Sequence, residues 1–111
     1  MPTVKFRKSY IYIMGAIECM ISELDNAKVL MISERGHYGY IEILGSNNSG
    51  VEVCYLAVCK YDKSDTIYLF LCDDEMSVEQ DVDFSNVDDA IANARKRSKV
   101  PIAWVYPNVA V

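Results

Sequence analysis

The sequence TIYLFLC, residues 66–72, begins the segment around which the rest of the chain is organised, and this segment extends to residue 105. It is apolar at nearly every position, which predicts a strand that is covered on both faces. Residues 73–75 supply a turn, and residues 77–84 then alternate apolar and charged side chains, as a half-buried strand does. The inward set is Val78, Val82 and Phe84, and the outward set is Glu79, Asp81 and Asp83. The pattern predicts a β-hairpin.

The segment after the hairpin is predicted to be a helix that ends before Pro101, followed by a strand over residues 102–105. We expect Ser85 to be the N-cap residue, with Asp88 three residues later near the positive end of the helix dipole. The apolar stripe consists of Val87, Ala90, Ile91 and Ala94, and the bases of the last turn are Arg95, Lys96, Arg97 and Lys99. Such a stripe packs on a sheet, and such bases suit the negative end of the dipole.

The residues before this stretch predict further short strands joined by turns. The predicted strands are residues 28–32, 38–44 and 51–60, with turns at 25–26, 33–36 and 62–65 and a polar loop at 45–50. Gly36 is expected to close its turn in a backbone conformation that other residues resist. Consecutive strands with short connections imply an antiparallel meander.

The N-terminal part of the chain changes its periodicity near Gly15. Residues 3–7 alternate and residues 9–14 are rich in β-forming side chains, so a strand is predicted up to about residue 14. An amphipathic helix pattern follows to about Asp25, and a hairpin that pivots at Gly15 is the alternative. The whole chain is thus predicted to be one α+β domain: a mainly antiparallel sheet of five to seven strands, with one or two helices packed on one face.

Charge and composition limit the classes of function. The net charge of −5 disfavours nucleic-acid binding, and the basic cluster at residues 95–99 is the feature best suited to contact phosphate. No apolar run approaches the roughly 18 residues of a membrane span. The N-terminal stretch is interrupted by tyrosines and does not read as a signal peptide, so a cytoplasmic protein is expected. No cofactor is expected.

The four cysteines are Cys19, Cys54, Cys59 and Cys72, and no two of them form a close pair. Each lies in an apolar segment, so buried and reduced thiols are the favoured interpretation. A disulfide framework and a zinc site are the alternatives.

His37 is the only histidine, and it lies in a predicted turn. With Arg35, Tyr38 and Tyr40 it could form a small binding or nuclease-like site, or it could pair with a cysteine for nucleophilic catalysis. A polar turn followed by a half-buried strand is the favoured interpretation. No catalytic or metal-binding residue is therefore assigned.

Acidic residues concentrate in the hairpin. Residues 73–89 hold eight acids and no base. Alternate residues of a strand share a face about 6.6 Å apart, so the outward acids form a stripe. The stripe is either a solvated face that guards a sheet edge or a docking surface for a basic partner. The candidate partner-binding residues are Asp73, Asp74, Glu75, Glu79, Asp81 and Asp83.

The run IYLFLCDDEMSVEQDVDFSNVDDAIANARKRSKVPIAW, residues 67–104, resembles the C-terminal half of many small bacterial immunity proteins. These proteins pair with polymorphic or contact-dependent growth-inhibition toxins. The similar features are an apolar strand that ends in an acidic turn, a second strand, a short helix and a late tryptophan. The resemblance implies a cytoplasmic inhibitor that binds and blocks one cognate toxin nuclease, and no binding residue carries over by motif.

We therefore expect a non-enzymatic acidic binding protein, an immunity protein that neutralises a basic toxin domain. An acidic patch steers a basic partner and masks its phosphate-binding surface. One alternative is a small nuclease-like or other enzyme domain that uses Arg35, His37 and the tyrosines. The other is a homo-oligomeric module, such as a homodimer, whose exposed strand completes a partner's sheet.

Overall fold

The computed structural model describes residues 22–42 and 50–107, which form a six-stranded sheet, a two-stranded sheet and one helix. The strands are β1 (Glu23–Leu24), β2 (Ala27–Ser33), β3 (Tyr40–Glu42), β4 (Gly50–Glu52), β5 (Tyr55–Lys60), β6 (Ile67–Cys72), β7 (Val78–Phe84) and β8 (Trp104–Val105), and the helix is α1 (Val87–Arg97). The large sheet has the order β1-β2-β5-β6-β7, with β8 beside β2, and β3 pairs with β4. All pairings between these strands are antiparallel. The predicted α+β class with a mainly antiparallel sheet is confirmed.

The large sheet is buried on both faces along β6. Leu69 and Phe70 point to opposite faces of this strand, and both are fully buried. Leu69 shares a hydrophobic cluster with Ala90 and Ala94 of α1. Phe70 belongs to a second cluster on the other face, together with Cys59. The predictions of a doubly covered strand and of a helix that packs on it by its apolar stripe are confirmed.

A register shift interrupts the alternation predicted for β7. Leu71 pairs with Gln80, but Cys72 pairs with Val78, so β7 has one extra residue at this point. Val78 packs in the cluster that contains Cys72, whereas Val82 packs in the cluster beneath α1. The prediction that Val78 and Val82 share one face is therefore wrong, because a bulge reverses the alternation.

The cap of α1 is one residue later than predicted. Asn86 is the N-cap residue, with an extended backbone (φ −153°, ψ 168°). Its Oδ1 accepts a hydrogen bond from the Asp89 N–H at 2.8 Å, and its Nδ2 donates to the Asp89 carboxylate at 3.2 Å. The predicted pair of Ser85 and Asp88 is wrong, since serine and asparagine are comparable caps and only backbone direction distinguishes them. The predicted extent of the helix is confirmed, and so are Arg95, Lys96 and Arg97 in its last turn. Lys99 lies beyond the C-cap residue Ser98, so its predicted place in the helix is wrong.

The chain around residues 22–25 is a hairpin rather than the end of a helix. β1 and β2 are joined by Asp25 and Asn26, whose φ angles are 47° and 68°. Two consecutive left-handed residues are what a tight two-residue hairpin turn requires, and Asp and Asn tolerate this conformation. The predicted helix is wrong at its C-terminal end. The rest of that prediction and the strand over residues 3–14 lie outside the described residues.

Gly36 is needed for space rather than for a left-handed backbone. A Cβ at this position would lie 2.8 Å from the ring of Tyr38. That ring is buried, and its hydroxyl donates to the Glu34 carbonyl at 2.6 Å. The nearby glycine with a left-handed backbone is Gly39, at φ 127°. The conformation predicted for Gly36 is wrong, because a close approach of the Tyr38 ring is the actual constraint.

The predicted strand over residues 51–60 is two strands that belong to different sheets. The chain changes sheet at Val53 and Cys54, between β4 and β5. The Val53 N–H donates to the Gly39 carbonyl at 2.9 Å, and the Cys54 N–H donates to the Cys72 carbonyl at 2.8 Å. The backbone N–H groups of Val53 and Cys54 are thus hydrogen-bonded to two different segments. The apolar run over residues 51–60 does not indicate this change of sheet, because both strands are apolar.

The remaining predictions are met in part. β3 covers residues 40–42 of the predicted strand over 38–44, and the predicted turn at 62–65 is present at Asp62 and Lys63. The loop at 45–49 and Cys19 lie outside the described residues, as does the chain from 108 onwards. In the described ranges, no helix combines the length and the apolar character needed to cross a membrane.

Candidate functional site

The acidic turn between β6 and β7 is held together by Asp73. Its Oδ1 accepts hydrogen bonds from the N–H groups of Glu75 at 2.9 Å and Ser77 at 2.8 Å. Its carbonyl oxygen accepts from the Met76 N–H at 3.0 Å. An aspartate that bonds its own turn in this way stabilises the local backbone. The main role of Asp73 is therefore to stabilise the turn of the hairpin, and the residue is only half-exposed.

Asp74, at the tip of the same turn, forms an ion pair with Arg35. The Arg35 Nη2 lies 3.8 Å from the Asp74 Oδ2, and the two side chains are 53% and 63% exposed. An exposed pair of this kind stabilises the fold by only about 0–1 kcal/mol. It does lower the net negative charge of the turn, so the turn attracts a basic partner less than the sequence predicts.

Asp81 and Asp83 lie on β7 opposite aromatic residues of β6. Asp81 pairs with Phe70 and Asp83 pairs with Tyr68, so the carboxylates share the sheet face of these rings. Both aspartates are exposed. The turn that begins at Asp73 is about 17 Å from Asp83 along the hairpin, at 3.3 Å per residue. The structure therefore separates the predicted acidic set into two groups.

An aromatic group adjoins these two carboxylates. The Tyr61 ring packs edge-on against Tyr68, with ring centroids 5.4 Å apart, and lies tilted against Phe70 at 6.5 Å. Phe70 is fully buried, whereas Tyr61 and Tyr68 are half-buried. The two tyrosines therefore connect the hydrophobic core to the surface that carries the carboxylates.

Asp25 joins this surface from the β1–β2 turn. Burial raises the pKa of the Tyr61 phenol above its usual 10.0, and the negative charges of Asp25 and Asp81 raise it further. Both carboxylates therefore lie close enough to raise the pKa of one phenol, although the β1–β2 turn and β7 lie at opposite edges of the sheet. We name the set of Asp25, Tyr61, Tyr68, Asp81 and Asp83 the acidic–aromatic face.

The acidic–aromatic face has the chemistry that recognises cationic side chains. Carboxylates form charge-assisted hydrogen bonds with arginine and lysine. Tyrosine rings attract a cation and offer a large contact area at a small cost in conformational entropy. The Tyr61 phenol is protonated at neutral pH and can donate as well as accept a hydrogen bond.

Sequence reasoning missed three members of this face. Tyr68 reads as an interior residue of a fully apolar strand, and Tyr61 reads as the last residue before a turn. Asp25 was expected to end a helix. The dipeptide Asp25-Asn26 predicts the turn itself, since such pairs favour two-residue hairpin turns. No local signal relates Asp25 to β7.

The alternative site centres on His37, which is exposed and forms a pair with Glu52. The His37 Nδ1 is in hydrogen-bond contact with the Glu52 carboxylate, and the imidazole is 72% exposed. Cys54 lies at the same end of the sheet but is buried. Burial raises the pKa of its thiol; the Arg35 charge opposes this effect and the Glu52 charge adds to it. A thiol with a raised pKa is a poor nucleophile.

The two tyrosines of that alternative site have structural surroundings. Tyr38 is buried and donates its hydroxyl hydrogen bond to the Glu34 carbonyl. Tyr40 is 64% exposed, and its ring lies over Gly50, where any Cβ would collide with it. The Tyr40 ring thus covers a glycine of the neighbouring strand.

The described cysteines, Cys54, Cys59 and Cys72, are buried, as predicted, and no two of them are joined by a disulfide bond. Burial raises the pKa of Cys59 well above its usual 9.0, with further contributions from Cys72 and Asp25. Over residues 22–42 and 50–107, no group of three or more His, Cys, Asp or Glu side chains is placed to hold a metal ion. The reduced state of the thiols in solution stays a prediction.

Comparison of the chain with protein-family models, curated proteins and solved structures finds no match. No relative or fold neighbour therefore assigns a role to any of its residues. The interpretation of the acidic–aromatic face depends on its own geometry and charge.

Proposed function

We propose that this protein is a non-enzymatic immunity protein that neutralises a bacterial toxin domain by docking its acidic–aromatic face on a basic surface. The observation that carries the proposal is the arrangement around Tyr61. The carboxylates of Asp25 and Asp81, which are distant in the sequence, both raise the pKa of this half-buried phenol. Exposed charge around partly buried aromatic rings is the composition of an interface hot spot for a cationic partner. The sequence resemblance supports a toxin as that partner.

Inhibition would follow from charge complementarity. A nuclease holds phosphate groups with arginine and lysine, and these are the side chains that Asp25, Asp81 and Asp83 would pair with. Long-range attraction raises the rate of encounter above that of uncharged surfaces. Once the two proteins are docked, the rings of Tyr61 and Tyr68 exclude water from the charged pairs and strengthen them.

The enzyme alternative has less support. Glu52 orients His37 as a carboxylate orients a general base, but the Cys54 thiol is buried and has a raised pKa. Arg35, the basic residue of that alternative, is already paired with Asp74. His37, Arg35 and Cys54 therefore each have a different setting, and no geometry of the described residues joins them at one reaction centre.

The test is binding to the toxin domain encoded beside the gene of this protein. We expect a complex that blocks the nuclease activity of the toxin, and weaker binding by the double variant Asp81→Asn/Asp83→Asn. The matched control is Glu34→Gln/Glu42→Gln, which removes the same charge from two exposed positions elsewhere. Equal binding by the two double variants would contradict the role of the acidic–aromatic face. Failure of the wild-type chain to bind would contradict a toxin as the partner.

A further inference from the structure

We infer that an arginine anchors the partner on the acidic–aromatic face. Its guanidinium packs on the rings of Tyr61 and Tyr68 and bonds to the carboxylates of Asp81 and Asp83. This inference rests on the proposed function and names the side chain of the partner that the face selects. A face that acted by charge alone would bind lysine and arginine equally well, so the selectivity has to come from the rings and from the spacing of the carboxylates.

The two tyrosine rings are held in place by a buried ring. The Tyr68 ring centroid lies 5.4 Å from that of Tyr61 and 6.3 Å from that of Phe70. Phe70 is fully buried, whereas both tyrosines are half-buried, so the group extends from the core to the surface. The planes of the tyrosine rings are at 80°, which is the edge-to-face arrangement that aromatic pairs prefer. Rings fixed in this way lose little conformational entropy when a cation packs on them.

Strand pairing sets the two carboxylates beside these rings. Asp83 lies opposite Tyr68 and Asp81 lies opposite Phe70, in the part of β7 where the register is continuous. Side chains directly opposite each other on antiparallel strands have Cβ atoms about 4.5–5.5 Å apart. The two aspartates are exposed on one face of β7, about 6.6 Å apart along the strand. A cation on the Tyr68 ring is therefore flanked by both carboxylates.

A guanidinium matches this arrangement better than an ammonium does. It is planar and weakly hydrated, so it stacks on aromatic rings, and its five N–H donors can bond two carboxylates at once. The lysine ammonium is strongly hydrated and carries its three donors on one nitrogen. With bonds of about 2.9 Å, that nitrogen reaches oxygens no more than about 5.8 Å apart, which is less than the spacing of the aspartates. Lysine therefore bonds one aspartate at a time.

Asp25 adds negative charge to this site without adding selectivity. Its charge, like that of Asp81, raises the pKa of the Tyr61 phenol, so it is felt at the ring on which the cation packs. Long-range attraction of this kind favours any cation, whatever its shape. The preference for arginine therefore depends on the two rings and on the aspartates of β7.

The test is an NMR titration of the full chain with three acetylated and amidated pentapeptides. The first contains two arginines between glycines, the second has lysine at both positions, and the third has citrulline, which has the shape of arginine without its charge. We expect the arginine peptide to bind about threefold to fivefold more tightly than the lysine peptide, because stacking on an exposed ring contributes a factor of this size. The citrulline peptide is expected not to bind. The arginine CH₂ signals should shift upfield, because these groups lie over aromatic rings.

Substitutions of Tyr68 measure the part played by the ring. Tyr68→Phe keeps the ring and should keep the preference for arginine. Tyr68→Leu removes it and should weaken arginine binding to the level of lysine binding. Tyr106→Leu, the control, changes an exposed tyrosine elsewhere and should leave both affinities as they are. A full preference for arginine in Tyr68→Leu would overturn the role of the ring.

Single substitutions of the aspartates measure the bridge between them and involve only exposed positions, so they test the inference even if Tyr68→Leu does not fold. Asp81→Asn and Asp83→Asn should each weaken binding of the arginine peptide more than binding of the lysine peptide, because only arginine uses both carboxylates. The control Glu34→Gln should weaken neither. Equal weakening of the two peptides by each aspartate variant would overturn the bridge.

The outcomes separate the inference from the proposed function. Equal affinities for the arginine and lysine peptides, both lowered by Asp81→Asn/Asp83→Asn, would overturn the arginine anchor and leave a face that binds by charge alone. Tighter binding of arginine with signal changes that spare Tyr61 and Tyr68 would also overturn the inference. Equal binding of the arginine and citrulline peptides would overturn both, because charge would then play no part.

The chain has four arginines of its own, and the test distinguishes them from an arginine of a partner. Arg35 and Arg97 already bond to side chains of the described structure. Arg95 is exposed, and Arg7 lies outside the described residues. We expect Arg7→Lys and Arg95→Lys to bind the arginine peptide as the wild type does. Several-fold tighter binding by either variant would overturn the inference, because an arginine of this chain or of a second copy would then occupy the face.

Discussion

At the residue scale, small polar side chains fix where the chain turns and where the helix begins. Asn86 caps α1 because its backbone is extended and its Oδ1 reaches the Asp89 N–H. Asp73 organises the β6–β7 turn by accepting two backbone hydrogen bonds, and Asp25 adopts a φ of 47° in the β1–β2 turn. These residue types favour such positions, but which of two adjacent candidates is used depends on the path of the preceding strand.

The cap gives a direct prediction about stability. Asn86→Ala is expected to lower the free energy of unfolding by about 1 kcal/mol, because the Asp89 N–H loses its acceptor. Ser85→Ala, the matched control at the adjacent position, is expected to change it by less than about 0.5 kcal/mol. Urea denaturation of the three proteins measures both values. A larger loss for Ser85→Ala than for Asn86→Ala would contradict the observed cap.

The Cys59 thiol gives a prediction about pH. Burial holds its folded-state pKa above the 9.0 of an unfolded chain. Its contribution to stability is therefore fully present below pH 9 and is lost as the pH rises from 9 towards the folded-state pKa. We expect the native thiol to react slowly with an alkylating reagent at pH 8, and the stability of the wild type to fall more steeply above pH 9 than that of Cys59→Ala.

Site-resolved mass spectrometry and denaturation curves at several pH values check this prediction. The chain unfolded in urea supplies the reference rate of alkylation. Alkylation of native Cys59 at that reference rate would show that the thiol is accessible. Equal loss of stability above pH 9 in the wild type and in Cys59→Ala would show that this thiol does not cause the pH dependence.

At the element scale, packing decides how long each pattern continues. The stripe of α1 continues without interruption, because Ala90 and Ala94 are small enough to bring the helix against β6. β7 departs from its alternation at the register shift opposite Leu71 and Cys72. The run over residues 51–60 changes sheet in the middle. A helix face repeats from local geometry alone, whereas a strand takes its direction from its neighbour.

The close approach of α1 predicts the effect of a larger side chain. Ala94→Leu should destabilise the protein by about 1–3 kcal/mol, because the side chain of Ala94 is fully buried against the sheet. Ala92→Leu makes the same chemical change at an exposed position of the same helix and should have an effect within about 0.5 kcal/mol. Thermal unfolding followed by circular dichroism measures both. Equal effects of the two substitutions would contradict the burial of Ala94 against the sheet.

At the scale of the whole molecule, the sheet order creates the acidic–aromatic face. β2 and β7 are separated by β5 and β6, and Tyr61 follows β5, so its ring lies between the Asp25 turn and Asp81. The acids of the β6–β7 turn are partly used within the protein, by Asp73 in its own turn and by Asp74 with Arg35. The surface charge available to a partner is therefore displaced towards the other end of the hairpin.

This arrangement predicts the salt dependence of association with the toxin domain. The association rate of the wild type should fall steeply with ionic strength, because the Debye length shortens from about 10 Å at 0.1 M to about 3 Å at 1 M. Asp81→Asn/Asp83→Asn should associate more slowly at low salt and show a flatter dependence. Stopped-flow measurement decides this. The control Glu34→Gln/Glu42→Gln has the same net charge, so equal slopes for the two variants would assign the effect to total charge.

Features that depend on near neighbours are predictable from the amino-acid pattern alone: the buried strand over residues 66–72, the helix stripe, the turns near residues 25–26, 62–63 and 73–75, and the stop before Pro101. The turn predicted at residues 33–36 is wrong, because Ser33 is the last residue of β2. Apolar periodicity and proline act within a few residues, so their effects can be predicted without the fold. The strand order, the bulge in β7 and the proximity of Asp25 and Asp81 to Tyr61 depend on how the sheet packs. Pairing joins segments distant in the chain, and burial of apolar surface is non-directional, so many pairings satisfy the same pattern until the packed sheet selects one.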